Sequence, residues 1–260
     1  NAPRLIRPPD GARTWSRLAV AGFLLEQTRL HGPVLAGLDM GLALPYLDRG
    51  CYFPACPECP PTAADLWAAI ERHADDAPDL YAGAIGGEGK PFADYFNLPG
   101  RRGPRFEIAR HRQTERVCRN WTRPSSVFNG VGAGSVGMGS LAGMRLLHRL
   151  HREPGPPRIA IWPFQEIDCA DLVVVEIFPR LYAKRAGLNP QAWRDPAFMP
   201  AITRHYQSNA PRPAPRTEDE TDALFSAAAL RHLARQPETW QPNAMARDAA
   251  RFEGWIFGVT

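Results

Sequence analysis

Hydrophobic positions along this chain follow two spacings. Residues 34–38, 158–162 and 171–177 are short apolar runs with no polar alternation, the last reading Asp-Leu-Val-Val-Val-Glu-Ile. Runs of this length predict strands covered on both faces, as at the centre of an α/β sheet. Elsewhere the apolar residues recur every three or four positions. Trp15, Leu18, Ala19, Gly22 and Leu25 predict a helix that ends at Gly32-Pro33, with Asp10 or Thr14 as its cap. Thr62 and Asp65 form a capping box ahead of Leu66, Ala69 and Ile70.

Met144, Leu147 and Leu150 mark a helix over residues 141–152. A short helix follows Pro179, and another is predicted over residues 191–205. Thr217 and Glu220 make a second capping box, opening a helix that runs to about Arg235. Residues 4–6 read as the tail of a strand before the Pro8-Pro9 break, and residues 209–216 as a proline-rich linker. The closing stretch, residues 251–259, is too apolar for a free end and is expected to pack down.

A strand, helix, strand order with long connections predicts parallel pairing. The pattern is that of one α/β domain over residues 1–260 with a mixed sheet flanked by helices. A long loop or insertion lies at about 77–135, rich in Gly, Pro and aromatics and without a sustained period. No internal repeat is evident.

Composition narrows the class. The 260 residues are 44% hydrophobic and 22% charged, ordinary for a globular chain. Proline, at 27 residues, is roughly twice its usual share of about 5% and marks rigid connections. A formal charge of +4 permits a polyanionic partner without demanding one. No apolar run reaches the ~18 residues of a membrane span, and no signal peptide is present. Five cysteines, an odd number, argue for a reducing, cytoplasmic compartment. The chain begins with Asn1, which suggests processing or a fragment lacking its true N-terminus.

The candidate chemistry begins with acids. Asp39 and Glu176 each end an apolar strand run, where ligands bind in open α/β sheets. Asp219 and Asp222 lie three apart on one face of a helix's first turn, so they repel one another. The helix N-terminus offsets about 0.3–1 kcal/mol per charge. A hard divalent cation, Mg²⁺ or Mn²⁺, would offset far more, and it takes oxygen ligands. Each acid also has a plain structural role open to it. Asp219 serves the helix dipole, Asp39 begins a turn before Gly41, and Glu176 pairs with a neighbouring arginine such as Arg180.

Residues 101–123 are the most basic region. Arg112, Arg116, Arg119 and Arg123 are positioned to neutralise phosphates and Trp121 to stack a base, unless this is only a solvated arginine face. Arg112 and Glu115 alternatively form a buried pair beneath the glycine segment. Gly132, Gly134 and Gly137 match a dinucleotide fingerprint formally, but no good strand precedes them. Their readings are a phosphate contact through backbone N–H groups or close backbone packing. Cys51, Cys56 and Cys59 have a spacing seen in zinc and iron–sulfur sites, and a fourth ligand would have to come from Cys118, Cys169 or His73.

Taken in order, Gly37-Leu38-Asp39-Met40-Gly41, Arg112-Gln113-Thr114-Glu115, Ser126-Val127-Phe128, Val136-Gly137-Met138-Gly139-Ser140, Val175-Glu176-Ile177-Phe178-Pro179, Asp219-x-x-Asp222-Ala223 and Glu253-Gly254-Trp255-Ile256 resemble the motifs of a poorly characterised bacterial family of predicted nucleases with a ribonuclease-H-like fold. The resemblance spans about residues 34–257. It implies phosphodiester hydrolysis at a two-metal site with Asp39, Glu176 and Asp222 as ligands. It also implies an earlier strand bearing an essential aspartate, which this sequence lacks. The alternatives are a non-catalytic nucleic-acid or nucleotide-binding module of the same fold, or a phosphoryl-transfer enzyme acting on a small molecule.

Overall fold

The computed structural model describes residues 1–132, 135–242 and 244–260. Helix α1 (Arg17–His31) leads into strand β1 (Val34–Leu38). Its cap is Ser16, whose hydroxyl accepts the Ala19 N–H, in place of the expected Thr14; the side chain of the other expected cap, Asp10, lies outside what is described. Residues 4–6 form no strand. Helix α2 (Ala63–His73) starts at Thr62, which accepts the Asp65 N–H as the capping box requires.

The region of residues 77–135 holds 3₁₀ turns, a two-residue antiparallel pair β2 (Asn97–Leu98) and β3 (Arg101–Arg102), and the short helix α3 (Gln113–Cys118). Helix α4 (Gly137–His151) then precedes β4 (Ile159–Ile161) and β5 (Leu172–Glu176). Four helices follow: α5 (Pro179–Arg185), α6 (Phe198–His205), α7 (Glu218–Leu233) and α8 (Ala244–Glu253). The predicted helix over residues 191–205 is in fact a 3₁₀ turn, Pro190–Ala192, followed by α6. Asp195-Pro196 breaks it, since a residue before proline is pushed out of the helical region.

The central sheet has the order β1-β5-β4, all parallel, with Leu38 opposite Glu176. It is mixed only in that β2 and β3 form a separate antiparallel pair. The alternation of β5 explains its unbroken apolar run. Leu172 and Val174 enter the core beneath α1, α2 and α4, while Val175 enters a second core built by α5 to α8. Side chains of successive strand residues point to opposite faces, so a strand with a core on each side has no polar position to spare. The C-terminal stretch packs down as its composition predicts: Trp255, Ile256, Phe257 and Val259 are buried, and Phe257 N–H donates to the Glu176 carbonyl.

Candidate functional site at the end of strand β1

Five of the sequence motifs meet in one buried cluster just past the ends of β1 and β5. Arg112, 1% exposed, is its centre. Its guanidinium donates to both oxygens of Glu176, Nη1 to Oε2 at 2.7 Å and Nη2 to Oε1 at 2.5 Å. Its Nε donates to Glu115 Oε1 at 3.0 Å, and Nη1 also reaches the Glu253 carbonyl. The Arg112 N–H donates to Glu115 Oε2, so Glu115 both caps α3 and pairs with the cation. Burial raises the Glu115 carboxyl above its usual range despite that pairing.

The loop after β1 is tied into this cluster by its backbone. Leu42 N–H donates to Glu176 Oε2, and Gly41 N–H to the Ser140 hydroxyl of α4. Tyr46 and Leu47 N–H groups both donate to Glu253 Oε1, while Gln113 N–H donates to Oε2. Glu253 is buried with three amide donors around it, a solvation shell made of protein.

Two expectations are corrected here. Glu176 is not a free acid awaiting a cation, because Arg112 occupies both its oxygens. Glu176 takes Arg112 as its ion-pair partner and not the expected neighbour Arg180, whose charge acts on Asp39 and Asp222. Arg112 cannot meet a nucleic-acid phosphate, because it is buried and its charge is spent on Glu176 and Glu115; the buried-pair alternative describes it. Arg116, Arg119, Arg123 and Trp121 do lie on the surface. Pro124 and Ser125, which continue that segment, line a cavity of about 40 Å³ together with Asp39 and Glu176.

The remaining acids gather on the other side of Glu176. Asp39 follows β1, Asp219 stands in the first turn of α7 and Asp222 three residues further along it. All three border a cleft of about 940 Å³ along β1 and α7. Crowding by protein atoms, then the charges of Glu176 and Asp219, push the Asp39 carboxyl up to about 6. Solvent reaches Asp39 at the cleft mouth and screens part of that burial, and the like charges keep the direction upward. Asp222 rises further, to about 7, through burial and then the charges of Asp39, Glu218 and Asp219. Arg180 opposes both shifts, which puts a cation within electrostatic reach of the pair. Sequence reasoning missed that role; the available signal was its position three residues past the strand run, beside the predicted ligand end of the sheet.

Among the described residues, no three His, Cys, Asp or Glu side chains stand close enough together to hold a metal ion unaided. The three loop cysteines therefore do not themselves form such a group among the described residues. Cys59 Sγ accepts the Phe53 N–H, Cys118 is buried in the second core, and His73 pairs with Glu58. Burial raises the Cys51 and Cys56 thiols, which works against thiolate.

The glycine segment serves packing. Gly137 N–H is already donated to the Asn129 carbonyl, and a Cβ there would lie 2.7 Å from the Asn129 backbone, so Gly137 is no phosphate donor. Gly132 turns the chain at a left-handed φ of 92° on the surface. Gly134 lies outside the described residues. No helix among the described residues is long and apolar enough to cross a membrane. The chain matches no protein-family model, no curated protein and no solved structure.

Proposed function

We propose that this protein is a divalent-cation-dependent hydrolase of nucleic-acid phosphodiester bonds, on a ribonuclease-H-like α/β scaffold, with Asp39 and Asp222 as its working acids. One observation carries the reading: Asp39 and Asp222 are crowded together beyond the end of β1, each held well above the ordinary carboxylate range, on the rim of a large cleft. Strongly perturbed acids in a cleft are a mark of function with a physical reason behind it.

The donor set suits Mg²⁺ or Mn²⁺. Such ions keep several waters and are held by one or two carboxylates together with substrate phosphates, so a complete protein cage is not needed. Asp39 and Asp222 would hold the ion, with Asp219 acting through water. When bound, the ion supplies Lewis-acid polarisation of a phosphoryl oxygen. The chain's own groups do the rest. Asp222 would accept a hydrogen bond from the attacking water and so orient it toward the phosphorus. Arg180 draws a phosphate toward the acids, and Arg116, Arg119 and Arg123 hold the flanking backbone by charge. Glu176 does not ligate in this reading. Through its bonds to Leu42 N–H and Arg112 it positions the loop that carries Asp39.

A metal-free binding module of the same fold is favoured by the neutralisation of Glu176 and by the lack of a ready three-ligand group among the described residues. Calorimetric titration with Mn²⁺ decides between them. The proposal expects saturable binding that Asp222→Asn abolishes and cleavage of a single-stranded oligonucleotide that requires the ion. Equal binding by the wild type and the variant would refute it.

A further inference from the structure

A second cleft, of about 520 Å³, opens at the other edge of the central sheet. Strand β4 stands opposite β1 across β5, and Trp162 follows β4 as Asp39 follows β1. The strands are parallel, so both residues come at carboxyl ends, where α/β sheets take their ligands. Among the described residues, none lines both this cleft and the one beside Asp39 and Asp222. The floor is aromatic and fixed. Trp162 is 4% exposed and meets Trp240 edge to face at 6.0 Å and Phe257 at 5.4 Å. Trp240 is pinned by its own indole N–H, which donates to the Ala234 carbonyl. A buried tryptophan ordinarily finds such an acceptor. The Trp162 indole N–H has none among the described residues, and its nitrogen is not sealed off from solvent.

The rim carries charges of both signs, contributed by different elements. Arg247 and Arg251 stand one turn apart on α8, while Glu166 and Asp168 stand on the loop between β4 and β5. All four are exposed, and none makes an ion pair or a side-chain hydrogen bond within the chain. Arg251 rests only on the Phe252 ring, and like charges one turn apart on a helix repel. We propose that this cleft binds a nucleoside 5′-monophosphate unit. The base lies against the tryptophans, and one of its carbonyls or ring nitrogens accepts the Trp162 N–H. The phosphate takes both arginines, whose planar forks match its oxygens, and its charge relieves their repulsion. The ribose hydroxyls donate to Glu166 and Asp168, as they do to an acid in dinucleotide sites. A phosphodiester on the 3′ oxygen would meet those carboxylates with like charge. The unit is thus a free mononucleotide or the 3′-terminal residue of a strand. The volume suits it, since small-molecule pockets run to about 300–1,000 Å³.

Calorimetric titration with adenosine 5′-monophosphate is the test. Saturable binding is expected, with adenosine and inorganic phosphate each weaker by at least about tenfold. The 2′,3′-dideoxy monophosphate is expected to lose a similar factor, because Glu166 and Asp168 then face no hydroxyl. Arg247→Ala combined with Arg251→Ala, both at exposed positions, is expected to lower the affinity to that of adenosine. The same variant is expected to leave Mn²⁺ binding unchanged, and Asp222→Asn to leave mononucleotide binding unchanged, so this site and the proposed acids fail or stand separately. Displacement of the monophosphate by an oligoribonucleotide with a free 3′ hydroxyl, but not by its 3′-phosphorylated form, upholds the proposal and assigns the unit to a strand end. Displacement by neither upholds it for the free mononucleotide. Inorganic phosphate that binds as tightly as the monophosphate would show an adventitious ion only and overturn it. Monophosphate affinity undiminished in the double arginine variant overturns it too.

Discussion

Arg112 and Glu176, 64 residues apart in sequence, face each other as a bidentate pair with side chains 2% and 4% exposed. The pair joins the segment before α3 to the end of β5 and, through Leu42, to the loop carrying Asp39. Taking two charges out of water costs nearly what the pair returns, but removing one partner strands the other. Glu176→Gln is therefore expected to destabilise the fold by about 3 kcal/mol. Urea unfolding checks this; a change below about 1 kcal/mol would mean that Glu115 alone satisfies Arg112.

Asp222 gives a pH signature. Its carboxyl titrates near 3.8 unfolded and about 7 folded, so between those values the folded protein holds the extra proton and stability falls as pH rises. Asp222→Asn removes that loss. After solvent screening, the variant is expected to be about 1–2 kcal/mol more stable than wild type at pH 8 and no different below pH 4. Denaturant midpoints across pH 4–8 test it, and a gain that is constant with pH would exclude the carboxylate as its source.

Glu253 spends both oxygens on backbone amides, two on Oε1 and one on Oε2. In Glu253→Gln, either orientation of the new amide sets an NH₂ group against an N–H donor. The expected loss is about 1–3 kcal/mol, read as a lower unfolding midpoint. Accelerated amide hydrogen exchange at Tyr46 and Leu47 or at Gln113 would show which side loosens.

The glycine segment offers a steric test. Gly137→Ala sets a methyl group against the Asn129 backbone at 2.7 Å, where no side-chain rotamer relieves the contact. A cost of about 1–3 kcal/mol is expected, with unchanged affinity for free phosphate. Weaker phosphate binding without destabilisation would restore the anion-site reading of this residue.

If the surface arginines hold nucleic-acid backbone, alanine at Arg116, Arg119 and Arg123 lowers the salt dependence of binding by about one power of salt per phosphate contact removed. Measuring affinity for a single-stranded oligonucleotide at several salt concentrations checks this. An unchanged slope would assign these arginines to the solvated face alone.

Much of the architecture was legible in residue order. The β5 run, flanked by helices, had to be a strand covered on both sides, since only an interior strand tolerates apolar residues at every position. Thr62 and Thr217 announced their helices because a cap and its partner lie three residues apart, within reach of local sequence. The acids at the end of β1 and the start of α7 were visible for the same reason: strand ends and first turns are local features. What the tertiary structure alone decided is which charges meet. Glu176 had Arg180 as its near neighbour and took Arg112 instead, because the chain folds α3 over the end of β5 and buries the pair there. Arg112 was thereby removed from the surface that holds Arg116 and Arg119, while Asp39 and Asp222, 183 positions apart, were brought to one cleft within electrostatic reach. Periodicity and caps are written within a few residues of themselves. The partner of a buried charge is chosen by the packing of distant segments, since only that packing removes water and makes the choice binding.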